Sequence, residues 1–307
     1  MNTANPISRV YKASEQIAFD DSSRIVLISD CHRGDGSWAD DFARNRHIYY
    51  AALTHYYENN YVYIEIGDGD ELWENKNFSD IVRVHGDVFL LLSRFFNDGR
   101  LYSIFGNHDI VKDAGLRRRR FHYMYRGNYY GEHEKRDIAL LDGVRHREGL
   151  VLKHIPTGGE IFLIHGHQAD FFNYRVWKVS RFLVRYVWRP LELHGIKDPT
   201  SAAENNGKAE SVERKLIEWV KSNDKILVAG HTHRPMFPEP GKPPYFNDGC
   251  CIHPHCITAI EIAGGRITLV KWEVKTGKGG AMYVGKEVLA GPKDLREYFD
   301  NGKEMIK

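Results

Sequence analysis

The chain is poor in cysteine, in long apolar runs and in net charge, and each shortage excludes a class of protein. Its four cysteines, Cys31, Cys250, Cys251 and Cys256, follow no spaced framework in 307 residues. That excludes a disulfide-stapled secreted domain and points to a reducing, cytoplasmic setting. No stretch approaches the roughly 18 uncharged apolar residues of a membrane span, and residues 1–16 lack the continuous apolar core of a secretory leader. A soluble protein, at most peripheral to a membrane, is expected. Lys+Arg 43 against Asp+Glu 41 leaves a formal net charge of +2. No global field therefore recruits nucleic acid or an anionic surface, and partners must be read from local clusters. Internal repeats and low-complexity tracts are absent as well. With 42% hydrophobic and 27% charged residues, the chain has the ordinary balance of a globular protein that buries a core.

Histidine is what the chain has in plenty, 16 in all, and several sit beside Asp, Asn or Gly where an apolar run ends. Runs of strand length cover 24–30, 61–68, 101–108, 160–165 and 225–231. They are continuous rather than alternating, as in a sheet covered on both faces. Helical stretches at 40–59 and 79–97 lie between the first three, so the rhythm is that of βαβ units, whose ligands bind at the carboxyl ends of the strands. Residues 256–263 and 266–274 flank Gly264-Gly265 and predict a hairpin, hence a second, antiparallel sheet packed near the first. The segment 276–307 reads as a peripheral Gly/Lys-rich turn followed by a short helix around 292–301. The whole of 1–307 is expected as a single domain, with 111–147 and 168–211 as insertions on the face that carries the polar clusters.

Those clusters are Asp30-Cys31-His32, Gly67-Asp68-Gly69-Asp70-Glu71, Gly106-Asn107-His108-Asp109, His165-Gly166-His167 and Gly230-His231-Thr232-His233. In an extended segment, residues i and i+2 share a side. Asp30 with His32, and His231 with His233, are therefore expected to converge while Cys31 and Thr232 turn away. Carboxylate, amide and imidazole donors without thiolate suit Mn²⁺, Fe or Zn²⁺ in an open catalytic site. The donors outnumber what one tetrahedral ion takes, so two ions about 3.5–4 Å apart, with Asp68 bridging, are expected.

The ordered set Asp-x-His, Gly-Asp-x-x-Glu, Gly-Asn-His-Asp, His and Gly-His-x-His, as it stands at Asp30/His32, Gly67/Asp68/Glu71, Gly106 to Asp109, His165 and Gly230/His231/His233, resembles the calcineurin-like metallophosphoesterases. The resemblance implies an α/β fold of two packed mixed β-sheets flanked by helices. It also implies two divalent ions, Mn²⁺ foremost, one held by Asp30, His32, Asp68 and His233 and the other by Asp68, Asn107, His165 and His231. It implies hydrolysis of a phosphate ester without a covalent enzyme intermediate, with His108 meeting the phosphate and protonating the leaving oxygen, and Asp109 orienting the His108 imidazole. The Gly-His-Thr-His-Arg-Pro run at 230–235 and Asn247-Asp248-Gly249 resemble the UDP-2,3-diacylglucosamine diphosphatase-like branch, which carries Arg where this chain has His108.

Around this set, Arg33 and Arg234 adjoin expected ligands and are expected to touch substrate phosphate. Residues 171–191 contain no Asp or Glu, and Arg175, Lys178, Arg181, Arg185 and Arg189 recur among aromatic residues at helical spacing. This predicts a basic amphipathic helix. It reads either as a lid whose Arg181 and Arg185 contact a phosphate-rich head group, with acyl chains or a membrane on its apolar side, or as a helix packed on the domain or at a subunit interface. The arginine run 117–120 reads as a solvated loop or, beside its aromatics, as a single-strand nucleic-acid contact. Asp35 and Asp70 read as solvated loop carboxylates or extra contacts, and Glu71 as a partner to a ligand rather than a ligand. Cys250, Cys251 and Cys256 are expected as buried small residues, with His253 or His255 near the pocket. The expected function is hydrolysis of a phosphodiester or pyrophosphate bond, of a nucleotide-linked sugar or lipid. Phosphoprotein or small-monoester hydrolysis, a non-catalytic metal-binding interaction module and a nuclease stay open beside it.

Overall fold

A computed structural model describes residues 5–113, 123–127, 136–192 and 206–299. The strands in chain order are β1 (Glu15–Phe19), β2 (Arg24–Ile28), β3 (Val62–Ile66), β4 (Leu101–Ile104), β5 (Tyr123–Gly127), β6 (Arg136–Leu140) and β7 (His146–Arg147). They continue with β8 (Gly149–His154), β9 (Glu160–Ile164), β10 (Ile226–Ala229), β11 (Tyr245–Asn247), β12 (Cys256–Ala263), β13 (Arg266–Thr276) and β14 (Met282–Asp294). They form two mixed sheets, ordered β1-β8-β9-β10-β11 and β14-β13-β12-β2-β3-β4-β7, with β5-β6 as a separate hairpin. The apolar runs expected to share one sheet are thus divided: β2, β3 and β4 run parallel in the larger sheet, and β9 with β10 in the smaller, while the β12-β13 hairpin, expected in a second sheet, pairs antiparallel with β2 and extends the larger one.

Period-two alternation explains why each run is apolar throughout. Ile25 and Leu27 face the smaller sheet together with Ile64, Ile66 and Ile104, meeting Leu152, Ile161, Leu163 and Val228 in a core between the sheets. Val26, Ile28 and Tyr63 point the other way, against Tyr49, Leu53 and Phe95. These last residues come from helices Arg46–Glu58 and Gly86–Asn97. On the far side, Phe162 and Ile164 lie beneath Ile7, Val10, Leu216 and Trp219 of helices Pro6–Ala13 and Asn206–Asn223. Each large side chain so buried contributes about 1.5–3 kcal/mol, which outweighs the weak intrinsic preference of these short segments.

Three expectations change here. Segment 276–299 holds the expected turn at 277–281 and a short helix at Arg296–Phe299, but it is not peripheral: β14 between them pairs along β13 as the edge strand, and Leu295 and Tyr298 are buried behind it. The second insertion does not run to 211, because Asn206–Asn223 is one helix whose Ala209, Val212 and Leu216 belong to the scaffold. The basic helix is also broken into Phe171–Arg175, Trp177–Leu183, a π turn at Val184–Trp188 and Arg189–Glu192. The arginine run 117–120 lies outside the described residues. No helix among the described residues is long and apolar enough to cross a membrane.

Candidate metal centre

The polar clusters follow directly on β2, β3, β4, β9 and β10, so the two-sheet packing gathers them at one rim. Backbone bonds stitch the loops together: Asp30 N–H donates to Gly67 O (3.1 Å), His32 N–H to Asp68 O (2.8 Å) and Gly230 N–H to His165 O (3.0 Å). Close approach demands glycine at this crossing. A Cβ on Gly106 would lie 2.1 Å from Asp68 Oδ1, and one on Gly67 would lie 2.7 Å from the His165 ring.

The ligand candidates do not converge by extended alternation, as expected from the i, i+2 spacing. Asp30 (φ 51°), His32 (48°), Asp68 (50°), His231 (69°) and His233 (56°) all adopt left-handed backbone. Each such residue costs about 1 kcal/mol or more, and the state persists because the crossing hydrogen bonds over-determine it. Strain of this kind gathers where side chains are aimed at a ligand.

Two groups of donors result. Asp30 Oδ1 lies 3.0 Å from His233 Nε2 and 3.6 Å from His32 Nε2. Asp68 Oδ2 lies 3.0 Å from His165 Nε2 and 3.8 Å from His32 Nε2, so it borders both groups. The donor atoms of Asp68, His165 and His231 fall within 4.8 Å of one another, as do those of Asp30, His32 and His233. Asp30 Oδ1, His32 Nε2, Asn107 Oδ1, His165 Nε2 and His231 Nε2 are all buried without a hydrogen-bond partner. Orphaned polar atoms are rare in folded proteins, and oxygen and imidazole donors turned toward one another are what a divalent cation takes. The residues fit a metal centre.

The electrostatics agree. Burial raises the Asp68 carboxyl, but the neighbouring His165 and His108 imidazoles hold it well below the ordinary carboxylate range. Burial opposes charge on His165 and His233 too, yet Asp68 and Asp30 push His165 up to about 9, and Asp30 pushes His233 up to about 9. His231 is driven down by burial, against the pull of Asp170. Without an ion the site thus balances carboxylates with protonated imidazoles, protons that a cation replaces.

Several expected contacts change. Asp109 does not orient His108. Its Oδ1 accepts from Gly106 N–H (2.6 Å) and Asp68 N–H (3.3 Å), and its Oδ2 meets Lys112 Nζ at 2.8 Å. Glu71 takes that place, touching His108 Nδ1 and His32 Nδ1 at 2.8 Å each, and burial is outweighed by these imidazoles, which hold its carboxyl low. Trp73 stacks on the His108 ring, with centroids 4.4 Å apart. Arg33 is turned inward and 1% exposed, its Nε on Asp70 (2.7 Å) and Nη2 on Glu65 (2.7 Å), so it does not reach substrate. Asp70 is likewise buried rather than solvated, and it also meets Lys112 Nζ at 2.6 Å.

Arg185 donates to the carbonyls of Trp73 and Leu72 (2.7 Å each), while Arg181 lies over the Trp177 ring at 4.9 Å. Arg234 is partly exposed beside His233, 3.8 Å from Glu213. Asp35 binds Arg189 at 2.6 Å. His253 Nε2 lies 3.1 Å from His233 O, and Cys250 and Cys251 are buried.

Sequence reasoning missed four contributors. Lys112 and Glu65 complete the buried charge network; the i, i+3 spacing of Asp109 and Lys112 was the one local signal, and nothing local marks Glu65. His167 is buried beside His165 with both ring nitrogens unpartnered, and the His-Gly-His run was its signal. Asp170 caps Phe171–Arg175 and sets Oδ2 3.6 Å from His231 Nε2. An Asp just before a helix was the cue there.

A family model described as calcineurin-like phosphoesterase matches residues 23–235. Among solved structures, Vps29 of Chaetomium thermophilum is 11% identical over 87% of this chain and 96% of that one, at a TM-score of 0.39. A putative 5'-nucleotidase from Staphylococcus aureus, solved in complex with alpha-ketoglutarate, is 13% identical over 91% of this chain but 58% of its own, at a TM-score of 0.36. No curated protein sequence matches the chain.

Proposed function

The chain belongs to the calcineurin-like phosphoesterase family, and from that premise we propose that it is a dinuclear-metal hydrolase of a phosphodiester or pyrophosphate bond. The observation that carries this reading is the set of buried, unpartnered donors of Asp30, His32, Asn107, His165 and His231 at the rim of the sheets. Asp30, His32, Asp68 and His233 would hold one ion, and Asp68, Asn107, His165 and His231 the other, with Mn²⁺ the first metal to try and Fe or Zn²⁺ next. Such ions, when bound, supply an activated water and neutralise charge on the phosphoryl oxygens.

The chain's own residues supply the rest. Glu71 at Nδ1 and the Trp73 ring fix the His108 imidazole, which leaves Nε2 to hydrogen-bond the phosphate and pass a proton to the leaving oxygen. Asp109 holds the Gly106 and Asp68 amides and so keeps the loop in place without touching substrate. Arg234 and Arg181 stand as substrate contacts.

For the substrate we favour a nucleotide-linked sugar or lipid, in keeping with the resemblance to the UDP-2,3-diacylglucosamine diphosphatase-like branch. Phe171, Phe172, Val179, Phe182 and Tyr186 of the insertion are exposed among Arg175, Lys178 and Arg181, a surface suited to a phosphorylated amphiphile and to peripheral contact with a lipid surface. The free cysteines, three of them buried, favour a cytoplasmic setting.

The test is hydrolysis of bis-p-nitrophenyl phosphate by metal-stripped protein reloaded with Mn²⁺, beside Asp68→Ala. Turnover that requires Mn²⁺ and disappears in the variant supports the reading. Metal uptake with no turnover on diester, pyrophosphate or monoester substrates overturns it in favour of a metal-dependent interaction module.

A further inference from the structure

The described part of the second insertion, up to residue 192, ends in polar contacts with the body. Helix Trp177–Leu183 buries no residue. Arg185 lies in the π turn that follows, and it forks across backbone oxygens: Nε donates to Trp73 O (2.7 Å), and Nη2 to Leu72 O (2.7 Å) and Asn75 O (3.5 Å). Arg189, directly after the π turn, donates to Glu74 O (2.9 Å) and pairs with Asp35 (2.6 Å). A π turn inside an α-helical run is a common mark of a functional site, and here it holds the residue that grips the body.

What these arginines grip is the turn that carries both supports of His108. Glu71 Oε1 also accepts from Trp73 N–H (3.2 Å) and Glu74 N–H (3.3 Å), so the carboxylate that touches His108 Nδ1 and the indole stacked on its ring belong to one small unit. A planar guanidinium that spans two carbonyls fixes both position and orientation, which a point charge cannot do. We infer that Arg185 is a positioning residue: by clasping the Leu72 and Trp73 carbonyls it sets Trp73 against His108, so that seating of the insertion and alignment of His108 are one event. The inference rests on the reading of His108 as the group that meets the phosphate.

The experiment records the ring signals of His108 by NMR in metal-stripped protein with labelled histidine, assigned through His108→Asn. The stacked indole shifts these signals upfield in the parent. Arg185→Ala is expected to abolish that shift as Trp73→Ala does, and Arg185→Lys to leave an intermediate one. With Mn²⁺ and bis-p-nitrophenyl phosphate, Arg185→Ala is expected to lower kcat by about 10²-fold with KM and Mn²⁺ affinity unchanged, the effect of a misplaced catalytic group. Unchanged His108 signals in a folded Arg185→Ala or Arg185→Lys protein overturn the inference. A KM rise confined to large substrates would then return Arg185 to direct substrate contact. If the signals shift but His108→Asn turns over like the parent, the positioning stands and the role of His108 falls.

Discussion

Lys112→Met tests whether the buried charge network supports the metal centre. Lys112 Nζ meets Asp70 Oδ2 at 2.6 Å and Asp109 Oδ2 at 2.8 Å, and all three residues are essentially without solvent contact. Methionine keeps the volume and removes the charge. Asp70 retains Arg33, but Asp109 loses its only ion-pair partner among the described residues, and breaking a buried pair from one side costs about 3–5 kcal/mol. At roughly 2 cal/mol/K of unfolding entropy per residue for 307 residues, a loss of about 4 kcal/mol lowers the thermal midpoint by about 6 °C. The pH dependence has a definite sign. Burial raises the Asp70 carboxyl, but Arg33 and Lys112 hold it at about 2, below its ordinary 3.8. The pairing therefore stabilises fully above pH 3.8 and is lost as pH falls through 2, so the gap between parent and variant narrows in acid. Because Asp109 also fixes the Gly106 and Asp68 amides, Mn²⁺ affinity is expected to drop about 10–100-fold, as for other outer supports of ligands. Thermal scanning of metal-stripped protein across pH, with calorimetric Mn²⁺ titration, checks both arms. A variant with an unchanged midpoint and unchanged affinity refutes the reasoning, and Lys112→Arg, which keeps the charge, separates loss of charge from a packing fault.

At pH 7.5, metal uptake is expected to release protons, because His165 and His233 sit at about 9, and the binding heat must then vary with the ionisation enthalpy of the buffer. A buffer-independent heat counts against the pairing of these imidazoles with Asp68 and Asp30. For the same groups the raised values stabilise the metal-free chain fully below pH 6.5 and cease to do so as pH rises through 9, so its thermal midpoint should fall across that interval. Gly106→Ala is expected to abolish Mn²⁺ binding in a folded protein, since its Cβ would lie 2.1 Å from Asp68 Oδ1. Unaltered binding there would mean that the β4 loop is not held as tightly as its contacts indicate.

Much of the molecule was legible in the chain because its chemistry is local. The apolar runs that end in Asp30, Asp68, His108, His165 and His231 are doubly covered strands, and burial on both faces leaves a continuous pattern that no loop imitates. Other strands left no such mark. Glu15–Phe19 is an edge strand with mostly solvated side chains, and Met282–Asp294 is an edge strand whose side chains are mostly exposed or half-buried, so neither needs an apolar code. The ligand candidates were visible as residue types. Strand alternation predicts their convergence, whereas left-handed backbone held by bonds between loops produces it.

The amino-acid sequence by itself determined which side chains are available at the strand ends and that they suit divalent metals, because donor type and strand-end placement are properties of short segments. Only the tertiary structure decided which neighbour each charge meets. Arg33 beside a ligand looks like a group that faces substrate, and Asp109 beside His108 like the group that orients it. The fold instead turns them inward to Asp70, Glu65 and Lys112, and gives the orienting of His108 to Glu71 and Trp73. A buried charge must be neutralised by whatever the packing brings within reach, and although Lys112 stands close to Asp109 in the chain, the partners of Arg33 and His108 lie tens of residues away along it, where no local pattern records them.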